Sequence, residues 1–358
     1  MGVVKNIFKV FGAEFIIDRV IDVWLGLKEQ FQYRVVYPVV SKIPFAQNIY
    51  FIFSASFAHE MKMFLEARRQ YLKSRHGKTG NLFLLRRNIH RLEKGLLMKD
   101  RRAVFALGYI GQTVDVFQAC VSKVGNNDQL DWAFEVLCEY FEVTEPVPVI
   151  AKAKCVFETI DYVSHKNQQC TPYKLPASNI NYYEAFKALA YQRKSIRHFD
   201  LNRIPKRDVV DEAVFLAGLA PSSCNRQPFQ FRIIDDPELV KKISVLPGGT
   251  AGFAGSIAAM IVVVGQMNVS PTLADRHLMY VDGSLASMNL MLALESLGIC
   301  TCPLNWPENR KKDKQVAQLL KLNTFERPIM MIAYGYAEEN CLVACSVRKP
   351  LDQLRKYN

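Results

Sequence analysis

The chain has 358 residues, half of them apolar and 22% charged, which excludes global disorder and leads us to expect two domains. Its formal net charge of +12 is uneven, since residues 1–100 carry 17 Lys/Arg against 8 Asp/Glu, or +9 of the total. Charge alone favours nucleic acid as a partner, and no basic platform interleaved with aromatics accompanies it, so none is expected.

Residues 1–75 read as an amphipathic helical extension. Ile7, Phe8, Phe11, Phe15, Val20, Val23 and Trp24 recur at near-helical spacing, with Lys5, Lys9, Arg19 and Lys28 between them. This pattern suits a helix packed on the rest of the protein, or one lying on a membrane surface or protein partner, where basic residues beside large apolar ones favour anionic lipid. The apolar runs reach only about ten residues, too short to span a bilayer. There is no small-residue cleavage site of a secretory signal, so a cytoplasmic protein, in part membrane-peripheral, is expected.

Residues 76–175 read as a second helical region of unassigned role. His76-Gly77-Lys78-Thr79-Gly80 is a hinge, and the following LLRRNIHRLEKGLLM (84–98) gathers His90, Arg91, Glu93 and Lys94. At these spacings they are neighbours on a helix face, and internal pairing explains them without chemistry; a contact to the second domain or a partner is the alternative. Residues 100–165 look helical, with an extended, proline-bearing stretch at 142–150 before a last helix. NQQCTPYKLPASN (167–179) has the composition of a linker.

Residues 176–358 read as the second domain. A helix over 182–194 passes into extended SIRHFD (195–200), and Pro205 opens a helix that stops at Gly218. Gln230–Asp235 alternates like a strand, and IAAMIVVVG (257–265) has the continuous apolar character of a strand buried on both faces. Ser270-Pro271 is expected to cap a long helix with Leu278, Val281, Leu285, Met288 and Leu292 on its apolar face, ending at Gly298. Residues 299–304 and 328–336 complete a sheet with helices on both faces and no strict βαβ alternation.

Two segments carry candidate chemistry. In extended YQRKSIRHFD (191–200), Arg193, Ser195 and Arg197 share one face, either a solvated strand or a receptor for an anion. In LAPSSCNRQPFQF (219–231) hydroxyls and amides lie between Pro221 and Pro228, in an ordinary turn or a binding loop. There is no glycine-rich phosphate loop, and Cys300-x-Cys302 and Cys341-x3-Cys345 fit no ordinary zinc spacing, so no metal is expected. Nine cysteines without framework spacing suit free thiols in a reducing compartment.

RKSIRHF, LAPSSCNRQPFQF, a long helix closing with LGICTCPLNW, ERPIMMIAYGY and a terminal SVRKPL, in that order, resemble the nitroreductase family of FMN-dependent oxidoreductases over roughly residues 183–352. The resemblance implies an α+β fold with a mixed sheet flanked by helices, here preceded by an N-terminal all-helical region. It also implies a homodimer that builds two FMN sites from both subunits. Arg193 and Ser195 would then hold the FMN phosphate and ribityl chain, and Arg197 would reach the pyrimidine edge. Pro221, Ser222, Ser223 and Asn225, with Gln227, would belong to the loop laid against the partner's flavin. Pro303, Leu304, Asn305 and Trp306 would cover one face of the ring, and Arg348 would close on the phosphate. Many relatives carry glycine or an acidic residue where this chain has Asn305 and Trp306, which bears on the pocket's size and polarity. No catalytic acid or base is implied; His198 and His277 are expected to be packed or exposed, and NAD(P)H would be the reductant. The expected activity is hydride transfer from NAD(P)H through flavin to a small organic acceptor, such as a nitroaromatic or a quinone. The same scaffold running dehalogenation, desaturation or flavin cleavage, or a non-catalytic FMN sensor, is the alternative.

Overall fold

The computed structural model describes residues 14–54, 57–76, 80–125, 127–165, 170–174, 180–269 and 272–358. They fall into two units, Met1–Lys62 and Met63–Asn358. The first holds helices α1 (Glu14–Phe31), α2 (Tyr37–Lys42) and α3 (Ala46–Ser54), with a π turn at Gln32–Val36 between α1 and α2. None of the residues from 19 to 54 whose burial is described is buried. Ile7, Phe8, Phe11, Lys5 and Lys9 of the expected helix lie outside the described residues, as does the side chain of Phe15.

The second unit begins within α4 (Ala58–His76) and continues into α5 (Leu82–Leu96), α6 (Ile110–Val124), α7 (Asp128–Val143) and α8 (Pro148–Glu158). Asn81 caps α5 by accepting a hydrogen bond from the Leu84 amide at 2.9 Å, and Leu85, Ile89, Leu92 and Leu96 then point one stripe into a core shared with Phe117 and Tyr140. Gly80 precedes the cap at φ +62°, where a Cβ would stand 3.0 Å from the Ala119 carbonyl oxygen, so a side chain is excluded both by conformation and by space. Of the expected hinge, residues 77–79 lie outside the described residues. The extended stretch expected at 142–150 is shorter: Pro148 stands at the first turn of α8, where its fixed φ and missing N–H suit a helix start.

The sheet contains β1 (Phe229–Ile234), β2 (Ala259–Gln266), β3 (Cys300–Asn305) and β4 (Glu326–Gly335) in the order β1-β2-β4-β3, every pair antiparallel. A parallel bridge between Ser195 and Thr301 on the outer edge of β3 makes the sheet mixed. Around it lie α9 (Tyr182–Gln192), α10 (Arg207–Gly218), α11 (Pro237–Ser244), α12 (Leu278–Ser296) and α13 (Arg310–Leu320). β2 is central, and its side chains alternate between two cores: Met260, Val262 and Val264 meet Ile243 and Val316, while Ala259, Ile261 and Val263 meet Ala213 and Leu290. The continuous apolar run in the sequence is thus a strand covered on both faces, by α11 and α13 on one side and α10 and α12 on the other.

Two expectations change here. α12 starts at Leu278, and a separate short turn at Leu273–Asp275 occupies the preceding residues; Ser270 and Pro271 lie outside the described residues. Of the apolar positions expected on this helix, Val281, Leu285 and Met288 are exposed and Leu278 and Leu292 half-buried, and the buried face is formed by Met279, Asp282, Gly283, Ala286, Leu290 and Leu294. A helix apolar on both faces offers two stripes, and the smaller residues win the close approach: a Cβ on Gly283 would meet Ile329 Cδ1 at 2.4 Å. Ile261→Ala, which empties a fully buried site between α10 and α12, should cost about 2–5 kcal/mol in urea denaturation of the full chain. The exposed Lys241→Ala should stay within about 0.5 kcal/mol.

Candidate functional site

The first group of candidate residues forms where α9 ends. Arg193 is the residue after the helix, turned out of it at ψ 118°, and the chain then runs beside β3. The Ile196 amide donates to the Thr301 carbonyl at 3.0 Å and the Ile196 side chain enters the core, which leaves Arg193, Ser195 and Arg197 on the other side of the segment. All three act on one thiol: burial pushes the Cys302 thiol up, and the charges of Arg197 and Arg193 and a hydrogen bond from Ser195 pull it back. Arg197 reaches the Ser195 carbonyl at 3.4 Å, and its guanidinium carbon lies 6.0 Å from the centre of the Phe253 ring. Neither Arg193 nor Arg197 forms an ion pair within 4.0 Å among the described residues. Two adjacent guanidinium forks without a carboxylate partner have the donor chemistry for a phosphate dianion.

Glu295, near the C-terminal end of α12, is an acid that acts on this group. Burial raises its carboxyl above the usual range, and Arg193 lowers it. On β3 itself, Pro303 is half-buried, Leu304 is in the core and Asn305 is exposed. Trp306 is buried as well, its indole Nε1–H donating to Asp313 Oδ1 at 2.7 Å, so of the two only Asn305 presents its side chain to solvent. β3 pairs only with β4, so beyond the Ser195 bridge its outer backbone edge has no partner strand among the described residues. Arg348 is exposed and donates to the Ser346 carbonyl at 2.7 Å within its own terminal arm. His198 lies 3.3 Å from Ser256 Oγ and is exposed, as is His277.

The second group is the loop before β1. Its centre is Asp282, which accepts from Ser222 Oγ at 2.6 Å and from the Ser223 amide at 3.0 Å. Ser222 Oγ in turn accepts from the Gln227 amide at 2.8 Å, and Gln227 Nε2 donates to the Gly218 carbonyl at 3.2 Å. Buried Arg226 donates to the Ser223 carbonyl and hydroxyl at 3.0 and 3.1 Å and pairs with Asp275 at 3.0 Å. The network holds three non-glycine residues in the left-handed region, Cys224 at φ 51°, Asn225 at 49° and Gln227 at 50°, each costing about 1–3 kcal/mol. Pro221 opens the loop, exposed.

The helical layer reaches this loop too. Arg86 on α5 donates from Nε to the Asn225 carbonyl at 2.6 Å and from Nη1 to Gln129 Oε1 at 2.9 Å, and burial lowers its guanidinium to about 10. The neighbouring ionisable block is paired internally: His90 with Glu93 at 3.0 Å, Glu93 with the Trp132 indole at 2.7 Å, and Arg91 over the Tyr109 ring at 3.7 Å.

The two groups do not meet within one chain. One touches α12 at Asp282 and the other at Glu295, 13 residues apart, or about 20 Å along the helix. They also sit on opposite edges of the sheet, before β1 and beside β3. Reading the sequence missed Asp282, Arg226, Arg86 and Glu295, and weighed Cys302 only as half of a zinc pair. For Asp282 a signal exists, since it is the only charged residue between His277 and Glu295 in an otherwise apolar helix. All nine cysteines are free, and no group of three or more potential metal ligands occurs among the described residues.

Two outcomes test this geometry. Asp282→Asn removes the charge that two hydrogen bonds rely on; it should cost about 1.5–3 kcal/mol and speed amide exchange through residues 222–227, and unchanged exchange would show the loop to be held otherwise. Glu295 is easier to protonate folded than unfolded, so its contribution to stability is fullest below the unfolded value of 4.5 and is lost as pH rises through the folded one. Glu295→Gln should therefore flatten the stability profile above pH 4.5.

Comparison with known proteins covers this part of the chain. The family model described as the nitroreductase family matches residues 190–247 and 245–336. YdgI of Bacillus subtilis, by name an NAD(P)H nitroreductase, is 25% identical over 209 residues, 48% of this chain and 97% of that protein. Human iodotyrosine deiodinase 1 is 22% identical over 202 residues, 48% of this chain and 68% of that protein. Among solved structures, an NAD(P)H:FMN oxidoreductase of Staphylococcus epidermidis matches at TM-score 0.43 with 22% identity, over 52% of this chain and 99% of that one.

Proposed function

Residues 190–336 belong to the nitroreductase family, and from that premise we propose that the chain is an FMN-dependent oxidoreductase. It moves hydride from NAD(P)H through flavin to a small organic acceptor, and it works as a homodimer. The observation that carries this reading is the cluster of Arg193, Ser195 and Arg197 at the outer edge of β3. Its donors suit a phosphate, and the free backbone edge at 303–305 suits the polar rim of a planar ring.

Each residue has a defined task. Arg193 and Ser195 bind the phosphate and ribityl chain, and Arg197 holds a fixed positive charge at the pyrimidine edge. Bound FMN supplies the hydride chemistry between NAD(P)H and acceptor. Pro303, Leu304 and Asn305 orient the ring through main-chain groups, while buried Trp306 keeps that strand in place. Asn225 and Gln227 hold the loop in shape, and Pro221, Ser222 and Ser223 present it to the flavin of the other subunit. Arg348, on an exposed arm, closes on the phosphate.

Two features support the homodimer. The two residue groups lie at opposite sheet edges, so a second copy is the simplest source of the missing half for each. The exposed stripe of Val281, Leu285 and Met288 on α12, with Phe215 on α10 and Leu219 just after it, is an apolar surface that a second copy would cover.

The purified chain should be yellow, and NADH or NADPH should bleach it anaerobically. Colourless protein that binds no added FMN sinks the cofactor, and bound FMN that neither nicotinamide reduces would make the domain a sensor. Nitroaromatic, quinone and halogenated tyrosine acceptors offered to the reduced protein should separate reductase from dehalogenase chemistry. Arg193→Ala should weaken FMN binding about tenfold or more in calorimetric titration. Leu285→Asp should give a monomer by sedimentation and release FMN with it; a monomer that still holds FMN tightly would rule out the shared site.

A further inference from the structure

We propose that the first unit docks the protein on an anionic phospholipid surface, with α3 and its flanks inserted into one leaflet. The observation is a conflict between composition and burial. Residues 30–58 hold eight aromatics and only two charges, Arg34 and Lys42, both basic; residues 43–58 hold none. Yet Phe45 is 77% exposed, Ile49 55%, Ile52 73% and Phe53 84%, and no residue of α3 is buried.

The pattern distinguishes a bilayer from a protein groove. A groove takes one stripe of a helix, at i, i+3, i+4 and i+7. Phe51, Ile52 and Phe53 are consecutive, so they point about 100° apart and, with Ile49 and Tyr50, leave the second half of α3 apolar all round, above Gln47 and Asn48 in its first turn. Hydrocarbon accepts side chains in every direction and a single groove does not. The depth follows from length: nine residues rise about 14 Å, half of a hydrocarbon core of about 30 Å. No helix among the described residues is long and apolar enough to cross a membrane. Insertion therefore stops within one leaflet. Trp24, Tyr33 and Tyr37 are exposed on the preceding helices and have the amphipathic rings that settle at headgroup level. Arg34 and Lys42, with no acid between residues 30 and 58, select negatively charged headgroups.

Flotation of the full chain with vesicles of phosphatidylcholine and phosphatidylglycerol tests this. The wild-type chain should float with the vesicles, and less with phosphatidylcholine alone. Ile52→Asp/Phe53→Asp should lower binding about tenfold or more while circular dichroism and FMN binding stay unchanged. Arg34→Gln/Lys42→Gln should reduce binding to the mixed vesicles and leave the weaker binding to phosphatidylcholine in place. A chain that stays with the soluble fraction overturns the proposal, as does a double aspartate variant that floats like wild type. Self-association removed by those aspartates, without vesicle binding, would assign the patch to a second copy instead.

Discussion

Helix α12 sets the geometry on which the rest of the second unit depends. It is apolar on both faces, so one face can be satisfied by the sheet and the other must find a further cover. The face it gives the sheet is made of small residues, and Gly283 brings the backbone close to Ile329. That close approach carries Asp282 to a buried position beneath the 222–227 loop. Thirteen residues further on, Glu295 faces Arg193. One rigid element thus fixes the separation of two clusters that the sequence places within about thirty residues of each other.

The loop shows why a buried carboxylate is worth its desolvation. Three left-handed, non-glycine residues within four positions are an unfavourable conformation for this sequence. Asp282, the doubly engaged Ser222 hydroxyl and buried Arg226 overdetermine it, so the loop can be rigid without glycine. Arg86 adds a tie from the helical layer to the Asn225 carbonyl. The helical layer of residues 82–162, with its own core, is by this contact also a support for the candidate site.

Electrostatics at the other cluster runs the opposite way. There the two arginines form no ion pair among the described residues, burial drives Glu295 toward its neutral form, and the Cys302 thiol is buried beside the cations. Such a surplus of positive charge at a sheet edge is costly in isolation and becomes favourable when an anion arrives. The first unit presents a comparable imbalance in apolar form, with exposed aromatic residues where a water-facing surface would be polar.

Much of this was legible along the chain. The uninterrupted apolar run at 257–265 has the character of a doubly covered strand, the helix stop at Gly298 follows from local stereochemistry, and alternation put Arg193, Ser195 and Arg197 on one side. These are short-range matters, set by residues a few positions apart. Which stripe of α12 is buried, where Trp306 points and how far Ser195 lies from Ser222 are different in kind. They depend on which surfaces approach each other, and two equally apolar faces or two nearby motifs give no local signal to separate them. The sequence by itself determined the residue types available for an anion and a planar ring. The tertiary structure alone decided that they form two groups at opposite edges of one sheet, because strand order and the rise of α12, not sequence distance, set their separation.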